Sequence, residues 1–176
     1  MSLEKRRLVM KSFITSQFGY CPVVWMFHSR TLNNRINAIH ERALRIVYKN
    51  YNSTFDELLV CDNSVRVHYR NLQQLAIEIF KFKNNLSPEI MNNVFEAKEE
   101  SYNLRNATGL KRVGAKTVRY GTETVRFIAP KLWNMIPDAI KSSNSINHFK
   151  SQIKKWKPSN CSCRLCKIYV QNVGFI

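Results

Sequence analysis

Ser29-Arg-Thr-Leu32-Asn-Asn-Arg35-Ile36-Asn-Ala-Ile39-His-Glu-Arg42-Ala43-Leu-Arg45-Ile46-Val47-Tyr-Lys49 is the stretch that decides the fold class. Leu32, Ile36, Ile39, Ala43, Ile46 and Val47 are spaced mostly by three or four residues, the period of one face of an α-helix. Arg35, Arg42, Arg45 and Lys49 lie elsewhere on the same cylinder. The pattern predicts a helix with one face for a core and another for solvent or a polyanion.

The flanking sequence has the same character. Upstream, Leu8, Val9, Phe13 and Ile14 mark a helical stripe that closes near Gly19, and Pro22 opens a short apolar helix through Phe27. Downstream, Thr54-Phe-Asp-Glu57 is a capping box. A long helix is expected over 65–84, with Leu72, Leu75, Ala76, Ile79 and Phe80 inside, and Pro88 opens another short one. Beyond residue 98 the pattern turns β-like. Lys116-Thr-Val-Arg-Tyr120 and Thr122-Glu-Thr-Val-Arg-Phe127 flank Gly121 and read as a hairpin. Helical signals return at Pro130-Lys-Leu-Trp-Asn-Met135. Ser145 then caps a helix with the stripe Ile146, Phe149, Ile153 and Trp156, which Pro158 stops. The expected fold is mainly α: a helical bundle with a small β-hairpin insertion and a cysteine-containing tail. Its regions are 1–97 helical, 98–130 hairpin and loop, 131–158 basic helices and 159–176 tail.

Charge limits the function classes. Among 176 residues, 28 Lys and Arg stand against 12 Asp and Glu, a net charge of +16. From Ala139 onward there are seven Lys or Arg and no acid, with Lys150, Lys154 and Lys155 on the last helix. Self-repulsion of this size opposes compaction unless something offsets it, and phosphates do so while releasing counterions. Tyr120, Trp133, Trp156 and Tyr169 lie among these charges, placed either for base stacking or for ordinary core packing. The longest apolar run, Cys21 to Phe27, is far short of the roughly 20 residues that span a bilayer. With no secretory signal and an odd number of cysteines, the expectation is an intracellular protein, nuclear or cytoplasmic.

Catalytic motifs are missing from the sequence. Asp56, Asp62 and Asp138 are the only aspartates and lie far apart, so no pair can hold two catalytic Mg²⁺ ions. Gly109-Leu-Lys-Arg-Val-Gly114-Ala-Lys-Thr117 is not a phosphate-binding loop, because Ala115 intrudes and no buried strand precedes it. His28, His40, His68 and His148 are scattered and read as surface or structural. Cys161-x-Cys163-x-x-Cys166 is the sharpest short motif. Three thiolates so close can wrap one Zn²⁺, with a fourth ligand from elsewhere or a reduced tail as the alternative. Cys21 and Cys61 read as small core residues.

Six phrases taken in order resemble one family. They are Phe18-Gly-Tyr-Cys-Pro-Val-Val-Trp25, His40-Glu-Arg-Ala-Leu-Arg-Ile46, Tyr102-Asn-Leu-Arg105, Pro130-Lys-Leu-Trp-Asn-Met-Ile-Pro137, Phe149-Lys-x-x-Ile-Lys-Lys-Trp156 and the cysteine motif. Together they resemble the C-terminal region of reverse transcriptases from jockey-like non-LTR retrotransposons. The resemblance implies that residues 1–97 correspond to the polymerase thumb and the rest to a basic extension, both lying after the catalytic palm. It implies no catalytic residue here, and a zinc knuckle of which only the three cysteines are present. The expected function is therefore to grip RNA, DNA or an RNA·DNA hybrid, without activity of its own, through Arg35, Arg42, Arg45, Lys49, Lys150, Lys154 and Lys155. Two alternatives remain: a fragment that docks on the missing palm through Trp25, Phe27 and Trp133, or a relic without a retained role.

Overall fold

In the computed structural model of the chain, which describes residues 1–97 and 109–158, four helices open on a serine or threonine side chain that caps them. Ser2 opens α1 (Leu3–Met10), which runs through a π-helical turn at Lys11–Thr15 into α2 (Ser16–Gly19). Pro22 starts α3 (Pro22–Trp25). The Ser29 hydroxyl accepts from Leu32 N–H at 3.4 Å to open α4 (Arg30–Tyr48). The Thr54 capping box forms in both directions and opens α5 (Phe55–Asp62), which runs three residues past the expected end at Leu59. Lys49 and Asn63 close α4 and α5 in the left-handed region, at φ 53° and 51°. Further on come α6 (Val67–Lys83), a 3₁₀ turn at Glu89–Asn93, α7 (Val125–Met135), α8 (Asp138–Lys141) and α9 (Ile146–Lys155).

The chain divides into two compact units, Met1–Asn71 and the residues from Leu72 on, and the division falls within α6. In the first unit, Met10, Ala43, Leu44, Val47, Leu58 and Leu59 form a core, with Ile14, Tyr48 and Phe55 packed against it. A polar clamp joins the same helices. The buried Asp62 carboxylate accepts from Arg7 Nε at 3.1 Å and from the Tyr48 hydroxyl at 2.9 Å, while Arg7 also donates to the Asp62 carbonyl. Each of α1, α4 and α5 contributes one member, so the clamp fixes how α4 is rotated about its axis.

In the second unit the core is aromatic. Phe149 is fully buried, stacked on Phe80 at 4.2 Å between ring centroids and on Trp133 at 6.3 Å. Leu72, Leu75, Ala76 and Ile79 of α6, Ile128, Ala129 and Leu132 of α7, and Ile153 of α9 are also buried. Gln73 Nε2 donates to the carbonyls of Lys154 and Trp156 at 3.2 and 2.8 Å, supplying donors that the C-terminal end of α9 lacks.

The mainly helical fold is as the sequence predicts; the hairpin is not. Residues expected to form it lie in a π-helical turn at Val118–Thr122 and the first turn of α7. Among the described residues the β-type pairing is a single antiparallel bridge between Ala97 and Leu110. A lone two-stranded hairpin has no face to bury and is marginal in water. The helical stripe of Ile128, Leu132 and Trp133 packs into the core and competes for the same segment. Gly121 makes a close approach rather than a turn. Its φ is not positive, and a Cβ there would come within 2.8 Å of Ala115 Cβ.

Two further expectations are corrected. Cys21 and Cys61 are exposed thiols rather than core residues, because Cys21 sits at the bend before Pro22 and Cys61 on the outer side of α5. The core face of α4 coincides only in part with the stripe that its periodicity marks. Of that stripe Ala43 and Val47 are buried as expected and Ile36 is half-buried, but Leu32, Ile39 and Ile46 are exposed, and Asn33, Asn37, His40 and Leu44 complete the buried face. The linker expected from Lys98 and the cysteine cluster lie outside the described residues.

Candidate nucleic-acid interface

The cleanest cationic set is on α9. Ser145 caps the helix by accepting from His148 N–H at 3.2 Å, and Phe149 and Ile153 turn into the core. That anchoring dictates where the lysines go. Lys154 and Lys155 are exposed, as is Lys157 beyond the helix end, and Lys150 is half-buried along the flank. No acidic residue lies on this helix, and among the described residues none of these lysines has a carboxylate partner. Lys154 and Lys155 stand in the last turn, where they also complement the negative end of the helix.

On α4, Arg35, Arg42 and Lys49 are likewise exposed, with no carboxylate partner among the described residues. Arg45 is not available in the same way. Its Nη2 meets Glu41 Oε1 at 2.6 Å, and its Nη1 donates to the Tyr51 carbonyl. Arg45 therefore ties the loop after α4 to the helix. Of the four cations expected there, three are available.

The aromatics divide similarly. Tyr120 is exposed, Trp156 is half-buried and Tyr169 lies outside the described residues. Trp133 is core, and the ammonium groups of both Lys83 and Lys141 lie 5.9 Å from its ring. Burial and the nearby Lys141 charge together lower the Lys83 pKa. Of the residues considered for palm docking, Trp25 and Phe27 are half-buried and Trp133 is buried.

The sequence reading missed the polar interior of the first unit. His40 is buried, its ring edge-on to Phe18 and Phe55 with centroids 6.0 and 5.6 Å away. Burial and the Arg70 charge bring its pKa down to about 4, against a smaller opposing pull from Asp62, so the ring is neutral at physiological pH. Tyr48 is pushed up to about 12 by burial and by its bond to Asp62. These groups hold helices together; no nucleophile–base pair emerges from them. A signal was present in the sequence, since Asn33, Asn37 and His40 recur at helical spacing, but they are polar and a hydrophobic count passes over them.

Among the described residues no group of three or more His, Cys, Asp or Glu side chains is placed to hold a metal ion. Cys161, Cys163 and Cys166 lie outside them, as stated above. Among the same residues no helix is long and apolar enough to cross a membrane. Compared with family models, with curated proteins and with solved structures, the chain has no match.

Proposed function

We propose that this chain is a non-catalytic nucleic-acid-binding fragment derived from a retroelement reverse transcriptase, an RNA-directed DNA polymerase whose chemistry lies in a palm outside this chain. One observation carries the reading: exposed Lys154 and Lys155 and half-buried Lys150 lie on α9, a helix with no acid on it, and exposed Lys157 follows just beyond its end, in a chain of net charge +16. Such a set meets phosphates and positions a polymer without reading its sequence. A template–primer duplex suits it, since hybrid helices are recognised mainly by shape and backbone. Arg35, Arg42 and Lys49 add to the total charge that attracts the polymer. Zinc held by Cys161, Cys163 and Cys166 with a fourth ligand belongs to the same reading, as does an intracellular setting, nuclear or cytoplasmic.

The test is a salt series. Affinity for an RNA·DNA hybrid, single-stranded RNA and duplex DNA is measured by fluorescence anisotropy between about 50 and 200 mM salt. A steep loss is expected. The triple variant Lys150→Gln/Lys154→Gln/Lys155→Gln is expected to reduce the log–log slope by about 2 to 3. Affinity that is flat with salt, or a slope the variant leaves untouched, overturns the reading. Metal content measured on the same sample tests the zinc.

A second reading has its own observation. Exposed Leu32, Ile39 and Ile46 favour docking on a protein.

A further inference from the structure

The exposed side of α4 carries more than cations. Leu32, Ile39 and Ile46 are 48%, 50% and 61% exposed, and they repeat every seven residues. Arg35, Arg42 and Lys49 follow each of them by three. The six side chains therefore alternate at spacings of three and four, five of them on α4 and Lys49 at its C-cap, over about 25 Å, the spacing of a coiled-coil contact stripe. Every apolar position in this row is aliphatic, and every position between is basic. The one acid on α4, Glu41, is already engaged by Arg45. The opposite side of the helix is committed to the core through His40, Leu44 and Val47.

Neither feature alone identifies an occupant, but their interleaving does. A phosphate backbone satisfies the three cations and leaves three branched aliphatic side chains against a highly charged polymer. A second copy of this chain satisfies the aliphatics but brings guanidinium groups either onto each other or onto leucine and isoleucine. Both arrangements leave buried charge unpaired, which costs far more than the aliphatic contact returns. A helix with aliphatic residues at one heptad position and Asp or Glu at the next meets both needs. Its apolar side chains cover Leu32, Ile39 and Ile46, and its carboxylates pair with Arg35, Arg42 and Lys49.

We infer that the outer face of α4 is a docking surface for an acidic amphipathic helix of a partner protein, paired with α4 along the Leu32–Lys49 stripe. The inference goes beyond nucleic-acid binding by α9. It assigns Arg35, Arg42 and Lys49, expected from the sequence to meet phosphate, to protein carboxylates.

The probe is a synthetic 21-residue peptide with Leu and Glu alternating at heptad spacings of three and four. A scrambled peptide of identical composition serves as the control. Binding to the full chain is followed by fluorescence anisotropy of the labelled peptide. The patterned peptide is expected to bind at least tenfold more tightly than the scrambled one. Leu32→Gln/Ile39→Gln/Ile46→Gln and Arg35→Gln/Arg42→Gln/Lys49→Gln are each expected to remove that preference. Lys150→Gln/Lys154→Gln/Lys155→Gln is expected to preserve it. Binding of the RNA·DNA hybrid is expected to change less than twofold in the aliphatic triple. All six positions are exposed, and circular dichroism checks that each variant remains folded.

Equal binding of the two peptides overturns the inference, as does a patterned-peptide affinity indifferent to the aliphatic triple. A hybrid affinity that falls with the aliphatic triple assigns the stripe to nucleic acid instead. Sedimentation showing a dimer that the same triple dissolves assigns it to a second copy. A failure of α9 to bind nucleic acid leaves the peptide and sedimentation readouts unaffected, so the two proposals stand or fall separately.

Discussion

Helices α4 and α9 look alike in sequence and behave differently in the fold. Each opens on a serine whose hydroxyl accepts from a backbone N–H three residues on, and each carries an aliphatic or aromatic stripe beside several cations. In α9 the stripe that periodicity marks is the core face, with Phe149 and Ile153 fully buried. In α4 the core face is rotated by roughly a fifth of a turn at ~100° per residue, so the marked stripe straddles the boundary with solvent. The difference lies in what each helix packs against. Phe149 stacks on Phe80 and Trp133 and, with buried Ile153, holds the marked stripe of α9 in the core. On α4 the rotation is set by a polar tie, Tyr48 to Asp62, and by the enclosure of His40 between two rings.

The largest effect expected from this comparison is at Phe149. Replacing it with alanine removes a fully buried ring stacked on two others, and should cost about 3 to 5 kcal/mol of unfolding free energy. Urea denaturation of the variant reads it. A loss below about 1 kcal/mol would mean that α9 is not anchored by its stripe, and the contrast with α4 would fail.

His40 gives the next largest, as a pH dependence. In the fold its pKa is about 4, below the 6.5 of an unhindered imidazole, because burial and Arg70 disfavour the charged ring. The unfolded chain therefore takes up a proton that the native state refuses between those values. Stability is fully present above pH 6.5, falls as the pH drops toward 4, and flattens below it. At 1.36 kcal/mol per unit the whole window is worth about 3 kcal/mol, and about 2 kcal/mol lies above pH 5, before most carboxylates titrate. Unfolding at pH 7 and pH 5 in the wild type and in His40→Leu checks it. The variant should lose most of the slope, and an unchanged slope would place the proton elsewhere.

How much was legible follows from the same contrast. Helix positions and caps were readable, because a serine or threonine before a periodic run acts locally; Thr54 and Glu57 form the reciprocal box their spacing implies. The rotation of α4 was not readable. It depends on Asp62, 14 residues beyond Tyr48, and on Arg7, 55 residues before Asp62. The availability of individual cations was half legible. Arg35, Arg42 and Lys49 are exposed as expected, but nothing local separates them from Arg45, whose partners are Glu41 and a loop carbonyl. The expected hairpin failed for a different reason. Alternation over a few β-branched residues says what a strand needs, not whether a neighbouring strand exists, and the apolar stripe of α7 claimed the segment.

Gln73 sharpens the comparison at its far end. It lies on α6 and holds the carbonyls of Lys154 and Trp156, so the end of α9 nearest the exposed lysines is tied down by a side chain from another helix. Gln73→Ala should cost about 1 to 2 kcal/mol, since two carbonyls lose their donor. Amide exchange should quicken in the last turn of α9 and not at Ser145. Uniform quickening along the helix would show that the core stripe, not this bond, holds the end.

Ile39 carries the smallest expected effect. On periodicity alone it belongs to the core of α4, and its removal from a core should cost about 2 kcal/mol or more. In the fold it is half exposed, so Ile39→Gln should change stability by no more than about 0.5 kcal/mol. Ala43→Gln, also from the marked stripe and only four residues on, should be strongly destabilising, because Ala43 is buried against Leu58 and Leu59. Equal costs at the two positions would return the stripe to the core and remove the exposed aliphatic row on which the docking surface depends. A large cost at Ala43 with almost none at Ile39 places solvent on one side of the marked stripe and core on the other, which a centred stripe cannot produce.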